Sequence, residues 1–342
     1  QMTINYKQNV GRNTMNRLRD IVIICYCCII AIEGNLTVGV LMSISYILGQ
    51  LGGPIGQIQS LLTQYQMFKV SMARLSEVQR KENEQQGAQE MQIDKFRHEI
   101  LFSEVSFKYE GSFSPNIFEG LSISFPANKM TAIVGNSGSG KTTLLKLIMG
   151  FYYPQKGKIT IDETPLNEID INSWRNCCGV VLQDGKIFSG TITENITLGS
   201  EIIDEKKIET VSKLACIDEF IQKQPGKYNM KIGSTGIELS QGQKQRILIA
   251  RALYKDPQLL IFDEATSSLD TVNERRIMDN LKYYFMGRTV IVVAHRLSTV
   301  VNADNIIFLE NGKIAEQGTH KTLVAKKGKY YELIKNQLEL EN

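Results

Sequence analysis

The stretch Thr131–Leu145, TAIVGNSGSGKTTLL, decides how the rest of the chain is read. It passes from a short apolar run with strand character, through a glycine-rich turn, into an apolar run that favours helix. Gly135, Gly140, Lys141 and Thr142 stand at the spacing G-x-x-x-x-G-K-[ST]. Glycines let the backbone curl until several N–H groups point inward, and the following helix adds the positive end of its dipole, a combination that holds phosphate. At this spacing Lys141 is expected to reach the β- and γ-phosphates and the Thr142 hydroxyl to ligand Mg2+. A plain glycine turn between strand and helix is the competing reading. The strand before and the helix after argue against it.

Outward on the C-terminal side, Leu259–Glu264, LLIFDE, reads as an apolar strand ending in two adjacent carboxylates. Beside a phosphate loop these suggest Mg2+ held by Asp263 and a water activated or oriented by Glu264; two solvated acids at a strand end are the alternative. The run TVIVVAHRL repeats the strand-then-polar pattern and ends at His295, a candidate contact for a γ-phosphate. Val180–Leu182 predicts a buried strand that stops at Gln183, and DGKIFSGTITENI then opens a more helical region up to about residue 260. Within it Leu239, Ser240, Gln241, Gly242 and Gln243 precede the helical run KQRILIARALYK. Ser240 has the N-cap position, so it offers either a second anion site or only a capped helix. Ile306–Leu309 with the turn Asn311-Gly312 predicts a closing strand pair, and 321–340 a single charged amphipathic helix. On the N-terminal side, 100–109 and 121–125 read as strands. Tyr109 either stacks on an adenine base or is a half-buried strand tyrosine. Strands alternating with helices indicate a mainly parallel sheet with its ligand at the strand ends.

The first 98 residues have another character. An almost wholly apolar run, 18–32, and a second from 36 to about 58 flank the polar break Glu33-Gly34-Asn35. Lys7, Arg12, Arg17 and Arg19 precede the first run, Lys69, Arg74, Arg80 and Lys81 follow the second, and the break carries no cation. Positive charge at both ends describes a membrane hairpin with its termini in the cytoplasm. A soluble helical hairpin competes, but it would need an apolar partner that this chain does not supply. Helices are expected at about 14–33 and 36–80, within a membrane region over 1–82, followed by a polar linker 83–98 and a soluble domain 99–342. Gly49, Gly52, Gly53, Pro54 and Gly56 predict close helix packing or a kink in the second helix.

At 342 residues and 42% hydrophobic content the chain can build two domains. A net charge of +3 gives no nucleic-acid signature. The six cysteines include one C-x-x-C pair, Cys25 and Cys28, in an apolar run without nearby histidines, so free thiols are expected rather than a metal site or disulfides. The chain begins at Gln1, which is the expectation for a piece of a longer protein.

Taken together, the motifs resemble those of the ATP-binding cassette (ABC) transporter family across about 99–338. GNSGSGKTT (Gly135, Asn136, Ser137, Gly138, Ser139, Gly140, Lys141, Thr142, Thr143) looks like its Walker A loop, LLIFDE its Walker B strand with catalytic Glu264, and Gln183 its Q-loop. LSQGQ looks like its signature, Asp270 in SSLD its D-loop, and His295 its switch histidine. Gln241 departs from the usual second glycine, while Ser240 and Gly242 are retained. The resemblance implies a P-loop α/β cassette with a mixed sheet and a helical subdomain behind a transmembrane hairpin. It also implies ATP and Mg2+ as cofactors, the metal held by Thr142, Gln183 and Asp263, and adenine stacked on Tyr109. Two cassettes would close head to tail, with Ser240, Gly242 and Gln243 facing the partner's ATP and a homodimer the expected form.

The order of helices first and cassette second is that of an exporter half-transporter, a multi-pass protein of the inner or plasma membrane with its cassette in the cytoplasm. The region LQDGKIFSGTITENI resembles peptide- or bacteriocin-secreting members. Alternatives are a lipid or drug exporter, a soluble ABC ATPase of DNA repair or translation, and a non-catalytic nucleotide-binding regulator. No nucleic-acid partner is expected.

Overall fold

The computed structural model describes residues 2–34, 36–79, 91–93, 96–111, 114–200, 202–233, 236–265, 269–294 and 297–340. The chain divides into two compact units, Gln1–Glu84 and Gln85–Asn342.

The first unit is two helices, α1 (Met2–Ile32) and α2 (Val38–Gln79). Helix α1 begins about a dozen residues before the expected start at 14, because nothing upstream stops it: the segment has no proline and one glycine, Gly11. Among the described residues Val38–Ser76 is the one segment long and apolar enough to cross a membrane, with mean hydropathy 1.4. The apolar stretch of α1 is shorter and opens on Arg17, Arg19 and Asp20. Helix α2 runs unbroken through Pro54. Among the described residues nothing packs closely against its glycines, since a Cβ at Gly49, Gly52, Gly53 or Gly56 would meet nothing within 4 Å.

The second unit is built on a six-stranded and a four-stranded sheet, with one further two-stranded antiparallel pair. The strands are β1 (Glu99–Phe107), β2 (Phe118–Pro126), β3 (Met130–Val134), β4 (Lys156–Ile161) and β5 (Thr164–Pro165). They continue with β6 (Cys178–Val181), β7 (Gly190–Thr191), β8 (Lys231–Ile232) and β9 (Leu259–Asp263). The last are β10 (Thr289–Val293), β11 (Asn305–Glu310) and β12 (Lys313–Gly318). Six of them order as β12-β11-β3-β10-β9-β6, parallel except for the β11–β12 hairpin, and four form the antiparallel sheet β2-β1-β4-β5. Hairpin β11–β12 turns at Asn311 and Gly312, both with positive φ (49° and 72°), the conformation an Asn-Gly turn provides.

The interleaved helices are α3 (Lys141–Ile148), α4 (Ile171–Asn176), α5 (Ile192–Ile196), α6 (Glu205–Leu214), α7 (Asp218–Gln222) and α8 (Gln241–Tyr254). Beyond them come α9 (Thr271–Phe285), α10 (Leu297–Val300), α11 (His320–Lys326) and α12 (Lys329–Leu340).

Strand alternation divides the core. Ile133, Leu259, Ile261, Ile291, Val293, Ile307 and Leu309 pack with α3 and the antiparallel sheet, whereas Ala132, Val134, Leu260, Phe262, Val290, Val292, Ile306 and Phe308 pack with α5, α6, α8, α9 and the C-terminal helices. Both faces of the parallel strands are therefore buried, which is why they read as continuous apolar runs rather than alternating ones. Trp174 of α4 donates from its indole N–H to Ile148 O at 2.9 Å and so pins the end of α3.

One expected element is two. Instead of a single helix over 321–340, the chain breaks between α11 and α12 at Lys327, which takes a left-handed conformation (φ 51°). The Glu316 carboxylate accepts the Lys329 backbone N–H at 2.6 Å, starting α12 anew. Charge periodicity alone did not reveal this cap.

Candidate functional site

Strand β3 lies in the middle of the parallel sheet, between β11 and β10, and the phosphate loop leaves its C-terminal end. Parallel register delivers the other candidates to the same edge. Val293 of β10 lies opposite both Ile133 and Asp263, and Val181 of β6 opposite Phe262, so Gln183, two residues beyond Val181, leaves the sheet at the level of Glu264. His295 lies outside the described residues; the chain leaving β10 is described as far as Ala294, whose N–H bonds Ile133 O at 3.3 Å.

The loop depends on glycine at two places. At Gly135 (φ 149°) a Cβ would stand 2.0 Å from the Leu309 carbonyl oxygen, so the chain passes directly against β11. At Gly140 (φ 103°), the N-cap of α3, it would strike the Phe118 ring at 2.8 Å. No side chain caps α3. Its first N–H groups are thus left to a ligand. Asn136, Ser137 and Gly138 are exposed, while Ser139 is buried and its hydroxyl makes no hydrogen bond.

Lys141 is buried and donates from Nζ to the carbonyls of Gly135 (2.8 Å) and Asn136 (2.9 Å), folding its charge into the loop. Burial lowers its pKa from the ordinary lysine value, partly offset by the carboxylates of Glu264 and Asp263. Asp263 is 1% exposed, yet neither carboxylate oxygen has a hydrogen-bond partner. The Thr142 hydroxyl lies close enough to favour its charged form but short of a full hydrogen bond. Burial, seconded by the charge of Glu264, raises the Asp263 pKa, while Thr142, Lys141 and Lys146 pull the other way. Two orphaned oxygens beside a hydroxyl are hard donors of the kind Mg2+ takes. Among the described residues no cluster of three or more acidic, His or Cys side chains could hold a metal alone. Glu264, half-buried, sits at φ 50° with its N–H on Val293 O at 3.2 Å. This backbone region is costly for a residue with a Cβ and is often found where a side chain is held for function.

Tyr109 joins the site: its hydroxyl is 3.1 Å from Thr143 Oγ1 on α3, and its ring packs edge-on with Phe107 and Tyr152 at centroid distances of 5.2 and 5.1 Å. Tyr152 is a neighbour that sequence reasoning passed over, although the exposed run Phe151-Tyr152-Tyr153 was a visible signal. Ser240 and Gln243 bond each other: Ser240 Oγ accepts from Gln243 N–H (3.3 Å), and Ser240 N–H donates to Gln243 Oε1 (2.8 Å). Gly242 is half-buried in the first turn of α8, and exposed Gln241 begins it. Asp270 caps α9, accepting from the backbone and side-chain amides of Asn273 at 2.9 and 2.6 Å, and these bonds hold its pKa below the ordinary carboxylate value. Neither cap bonds the phosphate loop.

A glycine-rich loop leaving the central parallel strand for a helix, with a buried carboxylate ending a neighbouring strand, defines a P-loop nucleotide-binding fold. Residues 118–267 match the family described as "ABC transporter". It is 40% identical over 302 residues to "Alpha-hemolysin translocation ATP-binding protein HlyB" of Escherichia coli, covering 88% of this chain and 42% of that protein. It is 41% identical over 313 residues to "Toxin RTX-I translocation ATP-binding protein" of Actinobacillus pleuropneumoniae, covering 91% and 44%. Among solved structures, "Structure of a bacterial Atm1-family ABC exporter with ATP bound" superposes with TM-score 0.72 at 33% identity, covering 96% of this chain and 57% of that one. The chain spans under half the length of the curated relatives it matches.

Proposed function

We propose that this chain is the ATP-hydrolysing portion of an exporter. The carrying observation is Asp263, fully buried with both carboxylate oxygens unpartnered beside Lys141 and the open start of α3. Such a charge is costly unless a ligand completes it. In this reading the uncapped N–H groups and Lys141 bind the ATP phosphates, Thr142, Asp263 and Gln183 hold Mg2+, and Tyr109 lies under the adenine. Mg2+ would neutralise charge on the phosphates. Glu264, fixed at the strand end, orients the attacking water and takes its proton, and His295 contacts the γ-phosphate.

Two copies would close head to tail, so that Ser240, Gly242 and Gln243 of one meet ATP on the other, with Asp270 at their junction. The membrane region comprises 1–82, joined through 83–98 to the cassette 99–342. Helix α2 supplies one membrane span, the first run a second, and the cassette faces the cytoplasm. The cargo is a peptide or protein; the relatives named for haemolysin and RTX-toxin translocation support this over a lipid or drug.

The test is ATP turnover by the purified full chain and by Glu264→Gln. A general base contributes about 100-fold or more, so the variant should bind ATP normally and lose turnover on that scale. Equal turnover in the two would remove Glu264 from this role.

A further inference from the structure

The segment that follows Gln183 is fastened to α8 by side chains that take no part in the site described above. Gly185 turns back on Leu182 O (3.1 Å) so close to α8 that a Cβ there would lie 2.6 Å from Leu248 Cδ1. Asn195, 1% exposed in α5, donates to the carbonyls of Phe188 and Thr191, both at 2.9 Å, and accepts the Phe188 N–H at 2.9 Å. Arg251, in the last turn of α8, donates to Asn195 O (2.7 Å), Asn195 Oδ1 (2.9 Å) and Lys186 O (3.0 Å), and its guanidinium lies 5.5 Å from the Phe188 ring centroid. Burial lowers its pKa from the ordinary arginine value. Desolvating a guanidinium is costly, and each bond it makes in return ends on α5 or on the segment 186–188.

We propose that Arg251, acting with Asn195, is a positioning residue for Gln183: it clamps residues 185–188 to α8, so that the approach of Gln183 to the phosphates is set by where α8 stands. This rests on the reading of Gln183 as belonging to the nucleotide site. Ser240 caps the start of the same helix, about 17 Å from Arg251 along its axis. A displacement at that end would reach Gln183 through the clamp.

The experiment compares the purified full chain with Arg251→Gln, Gln183→Ala and the double variant. Turnover is followed against ATP and against Mg2+, and ATP binding is measured in EDTA. The expected result for Arg251→Gln is a fall in kcat of about tenfold and a raised Mg2+ requirement, with Mg2+-free ATP affinity within about twofold of the parent. The double variant should be no worse than Gln183→Ala, because residues acting through one group are not additive. Unchanged turnover in Arg251→Gln, or losses that multiply in the double variant, would overturn the assignment. Arg251→Lys keeps charge and stem without the fork, and the same outcomes are read on it should the glutamine variant not fold. Amide exchange separates this inference from the proposed activity. The Phe188 N–H should exchange about tenfold faster in Arg251→Gln while the middle of α8 stays protected, and an unchanged rate refutes the clamp even if no Glu264-dependent turnover exists.

Discussion

Helix α3 starts at Gly140 with no side-chain cap, whereas α8 starts at Ser240 inside a complete capping box. The two ends share a helix dipole and are both candidates for meeting phosphate, but the first is left open and the second is closed by its own side chains. Around the open end stand the buried Ser139 hydroxyl and the Asp263 carboxylate, neither with a hydrogen-bond partner, and beside them Glu264 at positive φ. Around the closed end Ser240 and Gln243 satisfy one another. The difference teaches that the phosphate loop is organised for a ligand before one arrives. At Ser240 the backbone N–H and the hydroxyl oxygen are already engaged by Gln243, so that end offers ATP fewer free groups than the phosphate loop does.

The most damaging challenge to the open end is Gly135→Val. A branched side chain at φ 149°, where the Cβ alone would lie 2.0 Å from Leu309 O, cannot be accommodated without moving β11 or the loop. A loss of roughly 3 kcal/mol or more is expected in denaturant unfolding of the full chain, together with loss of ATP binding. Lys141→Ala comes next. Removing charge-assisted bonds worth about 1.5–3 kcal/mol should weaken ATP binding roughly 10- to 100-fold in equilibrium titration, and unchanged affinity would contradict the loop's role.

Asp263→Asn acts in the opposite direction on stability. With its pKa raised by burial, the folded chain binds this proton more tightly than the unfolded chain does. Stability without Mg2+ or nucleotide is therefore favoured below the ordinary carboxylate value of 3.8 and is lost as pH rises from there through the raised folded value. The variant removes this contribution. Near neutral pH it should be more stable than the parent by about 1 kcal/mol while losing turnover, the trade expected where a site holds an uncompensated charge for function. A less stable variant would mean that the Lys141 ammonium already compensates Asp263.

Much of this contrast was legible in the order of residues alone. The phosphate loop, the LLIFDE strand and the hairpin at Asn311-Gly312 are local signals whose spacing carries their physics, and each appears at the expected place. Ser240 was readable as a cap for the same reason, being three residues before Gln243. Long-range contacts were not. Nothing near Gly135 announces that Leu309 lies against it, and nothing near Lys327 announces that Glu316 reaches across to start another helix. The Arg251–Asn195 clamp escaped because an arginine late in an amphipathic helix looks like any solvated cation until its partners are known. The early start of α1 was missed because polar residues that tolerate helix give no boundary signal.

The smallest expected effect is the sharpest test of the comparison. Ser240→Ala removes the hydroxyl that accepts the Gln243 N–H and so costs about 1 kcal/mol of stability, the ordinary loss for an N-cap. Ser240→Thr, which keeps an oxygen in place, should cost less. If the closed end serves only the helix until a second chain arrives, ATP affinity at low chain concentration will be the same in the parent, Ser240→Ala and Ser240→Thr, because none of them alters the phosphate loop. At concentrations where chains pair, Ser240→Ala should weaken nucleotide-dependent association, since the alanine leaves a phosphate no hydroxyl to meet. Sedimentation with and without ATP measures that step separately from binding. A Ser240→Ala chain that loses ATP affinity while still a monomer would show that α8 and the phosphate loop are coupled within one copy, and the contrast between an open and a closed helix start would no longer describe two independent sites.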